Sequence, residues 1–113
     1  MGKRDALVEK YADTLRKACG MEPDPKLLSQ VTIGCGPVIF SPEGEVIVQG
    51  DRAERARVKT NFLVRKLGLS DGPHLVDAID AMMEAYDAPD GRRYRAVLYY
   101  LLVKHFGKED HFI

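Results

Sequence analysis

The most apolar run in the chain is residues 94–106, YRAVLYYLLVKHF. At helical spacing both halves of this segment are apolar, one carrying Tyr94, Val97, Leu98, Leu101 and Leu102 and the other Ala96, Tyr99, Tyr100 and Val103. A helix that is apolar nearly all round either spans a membrane or lies inside a protein. The run is shorter than the roughly 20 residues that a bilayer requires. We therefore predict a central, buried helix, with His105 in the middle of its main apolar face.

The residues that flank this run favour a helix over a strand. Asp90 is a suitable N-cap, and Gly107 follows the run where a left-handed C-terminal residue is common. Four further helices are predicted, at about residues 5–19, 25–33, 51–67 and 72–86, each with one main apolar face. The expected fold is mainly α: a bundle of about five helices around the C-terminal helix at 94–106.

The segment 38–48 has a different pattern. Val38-Ile39-Phe40 and Glu45-Val46-Ile47-Val48 flank Ser41-Pro42-Glu43-Gly44, in which Pro42 and Gly44 suit a tight turn. This pattern predicts a short β-hairpin at 38–48. Because two short strands are marginally stable alone, an irregular loop is the alternative.

Composition narrows the class of protein. The 113 residues, with 45% hydrophobic and 30% charged side chains, predict one globular domain over 1–113. The formal net charge of zero provides no overall attraction to nucleic acid or to an anionic membrane. The first residues, MGKRDALVEKY, become charged before any apolar run, so no signal peptide is predicted. With two cysteines, we expect reduced thiols in the cytoplasm.

Cys35 is the first candidate site residue. It lies between Gly34 and Gly36, where exposed backbone N–H groups would form an anion-binding nest that lowers the pKa of a thiol. The alternative is that Cys35 is a small buried residue beside a helix end. His105 is either a hydrogen-bonded core histidine or, if it lies near Cys35, the base of a Cys–His pair. Neither C-x-x-C nor H-E-x-x-H occurs, so we predict no metal and no cofactor.

The third predicted helix carries two further candidate surfaces. Its cationic side chains form a stripe, Arg52, Arg55, Lys59 and Lys66, that is either a phosphate-binding face for nucleic acid or a solvated surface. The fourth helix has an acidic face, so the two faces could also pair between protomers. Val58 and Phe62 point away from the main apolar face of the third helix and need cover. The hairpin or a second subunit would supply it.

Three stretches identify a resemblance to a known family: VTIGCGP at 31–37, NFL at 61–63 with KLGL at 66–69, and YRAV at 94–97 with KHFGK at 104–108. Together they resemble an uncharacterised family of short bacterial proteins, known as a domain of unknown function. The likeness covers nearly the whole chain. It implies a small, mostly helical bacterial protein of the cytoplasm, and it implies no activity, cofactor or catalytic residue.

These observations favour a small cytoplasmic helical module that binds a partner without catalysis, with a homodimer as the expected assembly. Two other functions are kept as alternatives. One is a thiol-dependent enzyme or redox protein that uses Cys35. The other is a nucleic-acid-binding module that uses the basic stripe of the third helix.

Overall fold

The fold is described by a computed structural model over residues 2–112. Its helices are α1 (Lys3–Cys19), α2 (Pro25–Gly34), α3 (Pro42–Glu45), α4 (Arg52–Arg57), α5 (Pro73–Ala85) and α6 (Arg95–Phe106), and its strands are β1 (Val46–Val48) and β2 (Arg92–Tyr94). The α4 helix continues as a π-helix over Val58–Lys66, and 3-10 turns cover Pro37–Phe40 and Glu109–Phe112. The predicted mainly α bundle is confirmed.

The α6 helix is the centre of the fold, as its sequence predicts. All eight side chains from Ala96 to Val103 are buried, and α1, α2, α3 and α5 all pack on it. The helix begins one residue later than expected, because Tyr94 is its N-cap and Asp90 instead accepts the N–H of Arg92. Among residues 2–112, no helix has both the length and the apolar character that a membrane crossing requires.

The predicted hairpin at 38–48 is wrong. Only Val46–Val48 forms a strand, and its antiparallel partner is β2, which precedes α6. The Ser41-Pro42 pair begins a helical turn: the Ser41 hydroxyl accepts the N–H of Gly44 at 3.2 Å, and Pro42 occupies the first position of α3. Serine as N-cap followed by proline is a helix-start signal, and here it outweighs the turn pattern.

The buried face of the third predicted helix also differs from the expected one. Its start is capped as expected, with the Asp51 carboxylate accepting the N–H of Glu54 at 3.0 Å. The buried side chains are then Glu54, Val58, Phe62, Leu63 and Leu67. In the π-helical part hydrogen bonds span five residues, as from the Leu67 N–H to the Phe62 carbonyl at 2.9 Å. The difference begins in α4, where Ala53 and Ala56 are exposed and Glu54 is buried, and it continues in the π-helix, where Thr60 is exposed and Phe62 is buried.

We expect Gly44→Ala to destabilise the fold. A Cβ at Gly44 would lie 2.1 Å from Cγ2 and 2.3 Å from the carbonyl oxygen of Val38, so the turn at 37–40 would have to move. Such overpacking typically costs on the order of 1–3 kcal/mol of unfolding free energy. The matched control is Gly2→Ala, where a Cβ meets nothing within 4 Å. Chemical denaturation measures both, and equal midpoints for the two variants would show that the Val38–Gly44 contact is not tight.

Candidate functional site

Two cavities open on the segment between α2 and α4. The first, which we call the arginine cavity, has a volume of ≈430 Å³ and is lined by Cys35, Val38, Ser41, Glu43, Gly44, Glu54, Arg57, Asn61, Arg95 and Tyr99. The second, the apolar cavity, has a volume of ≈360 Å³ and lies between the β1–α4 connection and α5, with Val58, Ile79, Met83 and Leu98 in its floor. Only the arginine cavity contains a buried ion pair.

That ion pair joins α4 to α6. The side chains of Arg95 and Glu54 are only 12% and 11% exposed, and the Nη2 atom of Arg95 contacts the Oε1 atom of Glu54. Oε2 of Glu54 accepts two bonds from Arg57, at 2.6 Å from Nη2 and 3.1 Å from Nε. Both carboxylate oxygens therefore face a guanidinium, Oε2 through hydrogen bonds and Oε1 through the ionic contact alone. The three side chains together carry a formal charge of +1.

Arg95 also fixes two other walls of the arginine cavity. Its Nε donates to the Gly44 carbonyl at 2.7 Å, which ties α3 to the first turn of α6. Its Nη1 donates to the Tyr99 hydroxyl at 3.1 Å, one helical turn further along. The Tyr99 ring is stacked on Phe62 with centroids 3.8 Å apart, so the hydroxyl is held at the cavity wall. Burial raises the pKa of Tyr99, which keeps this hydroxyl protonated at neutral pH.

The surroundings of Cys35 do not activate its thiol. The backbone N–H of Cys35 donates to the carbonyls of Val31 and Thr32, and that of Gly36 donates to the Ile33 carbonyl. The N–H groups proposed for an anion nest are therefore already hydrogen-bonded to α2. Burial raises the pKa of the Cys35 thiol to about 12, although Arg95 and Lys66 act to lower it. Cys35 is thus a neutral thiol in the wall of the arginine cavity, which supports the alternative of a half-buried structural residue.

His105 lies outside this site, and its predicted core position is wrong. The side chain is exposed at the last turn of α6, edge-on to the Phe106 ring at 4.9 Å. It follows Tyr99 by six residues, about 9 Å along a helix axis, and lines neither cavity. The apolar face predicted for it ends earlier, because α6 extends beyond the core at its C-terminus. A Cys35–His105 pair gains no support from this placement.

The basic stripe is largely paired within the chain. Arg55 forms a salt bridge to Asp80 of α5 at 3.0 Å, and Lys59 pairs with Asp71 at 3.2 Å. The basic and acidic faces thus meet intramolecularly at this point, whereas the sequence suggested that they could meet between protomers. Arg52 and Lys66 remain at opposite ends of the helix, and Lys66 lies 5.9 Å from the Phe112 ring centroid. A continuous phosphate-binding surface is therefore absent from this face of the described chain.

Val58 and Phe62, predicted as a possible interface, are covered by the chain itself. Val58 lies in the core, and Phe62 is buried beneath Tyr99 of α6. The cover comes from α6 rather than from a hairpin, so these two side chains are not available to a second subunit. Within residues 2–112, no three or more His, Cys, Asp or Glu side chains are arranged to hold a metal ion.

Sequence analysis did not identify Glu54, Arg57, Arg95 and Tyr99 as a group. One signal was present: Arg95 interrupts the most apolar stretch of the chain, and a charge at the start of a buried helix needs a partner. The partner could not be identified, because Glu54 is 41 positions away in the sequence. The contact depends on how α4 is rotated against α6.

We expect Glu54→Gln to destabilise the protein far more than the matched Asp80→Asn. Glu54→Gln leaves the Arg95 charge buried without a counterion, which costs on the order of 3–5 kcal/mol. Asp80 pairs with Arg55 at the surface, with both side chains at least 40% exposed. Exposed pairs contribute about 1 kcal/mol or less. Urea denaturation of both variants measures the difference; similar losses would mean that the Glu54–Arg95 pair behaves as a surface contact.

We also expect Cys35 to react slowly with iodoacetamide in the folded protein at neutral pH. A thiol with its pKa raised to about 12 has very little of the reactive thiolate. Cys19, whose pKa burial raises to about 11, serves as an internal comparison. Peptide mapping should give a rate for Cys35 on the order of a thousandfold below that of the unfolded chain, since the pKa differs by about three units. If Cys35 is labelled as fast in the folded protein as in denaturant, the hypothesis of a reactive thiol would be supported again.

Comparison with known proteins agrees with the resemblance seen in the sequence. A comparison with curated proteins finds no match. A family model described as a protein of unknown function, DUF2853, matches residues 10–110. The matched residues include all helices and strands except the first part of α1 and the end of the 3-10 turn at Glu109–Phe112. They also include the lining of both cavities. The chain therefore belongs to the DUF2853 family of proteins of unknown function.

Proposed function

We propose that the protein is a small interaction module of the cytoplasm that acts without catalysis and associates with a second copy of itself. The observation that carries this proposal is the distribution of exposed apolar side chains. Ile33, Val38 and Phe40, at 43%, 41% and 45% exposure, are three of the four exposed large apolar residues in the described chain. Isolated apolar residues are normal on a surface, but three within eight positions indicate a contact surface.

Local structure keeps these three residues, which we call the apolar patch, in one short segment. The Gly36 N–H donates to the Ile33 carbonyl at 3.1 Å, so the 3-10 turn at Pro37–Phe40 follows directly on the end of α2. The patch is therefore presented by tightly turned backbone and not by a loose loop. Such a preorganised surface loses little conformational entropy on binding.

Charge supports a second copy as the occupant. The formal net charge of zero means that two copies do not repel each other. Exposed Glu43 follows the patch in the chain, and Lys66 lies beside Gly34, next to Ile33. A two-fold interface places the apolar patch of one copy against the same patch of the other. Because an acidic and a basic side chain both lie beside the patch, Glu43 of one copy can face a cation of the other.

The two alternative functions have less support. The thiol-based activity needs a reactive Cys35, whereas burial raises the pKa of this thiol. The nucleic-acid interface needs free cations along the third helix, whereas Arg55 and Lys59 pair with Asp80 and Asp71. The first alternative thus requires a thiolate that burial disfavours, and the second requires cations that are already paired within the chain.

We expect the molecular mass in sedimentation equilibrium to rise from monomer toward dimer between about 10 µM and 1 mM, the range of weak self-association. The double variant Val38→Asp/Phe40→Asp should remain a monomer, because it buries charges in the contact. Val48→Asp is the matched control, since Val48 has a similar exposure of 46% but lies on β1 outside the patch. A monomeric wild type, or equal disruption by Val48→Asp, would overturn the proposal.

A further inference from the structure

The arginine cavity has features of a built binding site that self-association does not explain. Its ≈430 Å³ volume is within the usual range for small-molecule sites. A buried ion pair usually contributes little more to stability than apolar side chains of similar size would. Because this pair lies in an open cavity, we ask whether it serves ligand binding. The hydrogen-bonding capacity of the walls supports that role.

The acceptors in the cavity wall are already used. Each oxygen of the Glu54 carboxylate faces an arginine: Oε2 accepts hydrogen bonds from Arg57, and Oε1 is in ionic contact with Arg95 without a hydrogen bond. The Gly44 carbonyl accepts from Arg95. The Ser41 hydroxyl donates to the Val38 carbonyl at 3.0 Å and accepts from the Gly44 N–H. The exception is Glu43, whose exposed carboxylate stands at the rim, where water screens its charge.

The donors, by contrast, exceed their partners. A guanidinium has five N–H groups, and Arg57 uses two nitrogens on Glu54, which leaves its Nη1 without a bond among the described residues. The Tyr99 hydroxyl accepts from Arg95, so its own proton is free to be donated. Asn61 accepts from Arg65 through Oδ1 at 3.4 Å, which leaves its amide N–H groups for a ligand.

Charge and shape define the ligand further. The Arg95–Glu54–Arg57 group has a formal charge of +1, and with Glu43 the charged side chains of the lining sum to zero, which matches a monoanion better than a dianion. The Nε and Nη2 edge of Arg57 is held by Glu54, but its Nη1 and Nη2 edge is free to give the two-pronged contact that a carboxylate accepts. The neutral Cys35 thiol and the half-exposed Val38 side chain provide the adjacent apolar wall.

We propose that the arginine cavity binds a carboxylate attached to a small apolar group, with Arg57, Asn61 and Tyr99 as the donors to its oxygens. Two sources share this chemistry: a free organic acid and the C-terminal carboxylate of a peptide. The cavity shares the Val38 side chain with the apolar patch, but none of the three donors belongs to that patch. Ligand binding and dimer formation can therefore fail separately.

Nuclear magnetic resonance titration of the full chain tests this proposal. The probes are benzoate and an acetylated tripeptide that ends in valine, each paired with its neutral amide, and inorganic phosphate. At about 10 mM ligand, above a millimolar dissociation constant, a carboxylate should shift the Asn61 side-chain amide and the Arg57 Nε resonances to saturation. The amides should cause no such shift, because they lack the charge and the second acceptor oxygen.

Variants locate the site. Arg57→Gln and Tyr99→Phe should each weaken carboxylate binding by about tenfold, the usual effect of losing one charge-assisted or buried hydrogen bond. Arg57 is largely exposed, so its replacement keeps the fold even if Tyr99→Phe does not. Arg55→Gln is the matched control: it removes another arginine of α4, one that pairs with Asp80 outside this cavity. Its carboxylate affinity should equal that of the wild type.

Each outcome decides the question. Saturable binding of benzoate alone, the peptide alone or both supports the carboxylate site and identifies its source. Binding that persists in Phe40→Asp, which alters the apolar patch but not the cavity lining, shows that the site does not need the second copy. No shift with either carboxylate, equal binding of acids and amides, tighter binding of phosphate, or equal loss in Arg55→Gln would overturn the proposal.

Discussion

The structure depends on one constraint: α6 has no polar face. Eight successive side chains, Ala96 to Val103, are buried, so every direction around this helix must be covered by another part of the chain. The helices α1, α2, α3 and α5 supply that cover, and the π-helix supplies Phe62 against Tyr99. Burial of apolar surface is the dominant favourable contribution to folding. The arrangement of the bundle follows from how this single helix is enclosed.

Burial of α6 removes its polar side-chain atoms from water, so these atoms need hydrogen-bond partners within the chain. The Tyr100 hydroxyl accepts the N–H of Asp24 at 2.9 Å, which links α6 to the start of α2. Arg95 reaches Glu54, Gly44 and Tyr99, which links the start of α6 to α3 and α4. Buried polar groups are costly unless they are bonded, so these contacts specify how the surrounding helices are positioned as well as satisfying α6.

The arginine cavity is a consequence of this arrangement. The Arg95 contact to the Gly44 carbonyl holds the 37–45 segment over the start of α6, and Asn61 of the π-helix lines the cavity while Phe62 stacks on Tyr99. A wider helical turn of this kind is frequent at functional sites. The wall that results has used its acceptors but retains free donors. Cys35, the most distinctive residue in the sequence, contributes a neutral thiol to that wall and no nucleophile.

Periodicity and capping determined the helices, because these signals are local: Asp24-Pro25 begins α2, Gly107 ends α6, and the apolar run at 94–106 is buried at the centre. Three features required the tertiary structure. The β1 strand pairs with residues 44–48 positions away, which local turn chemistry at Pro42–Gly44 does not reveal. The side of the third helix that faces the core differs from the expected one already in α4, where Glu54 is buried. The pairing of Arg95 with Glu54 follows from how α4 packs against α6. Ion pairs form between groups that packing brings together, and spacing along the chain does not encode that proximity.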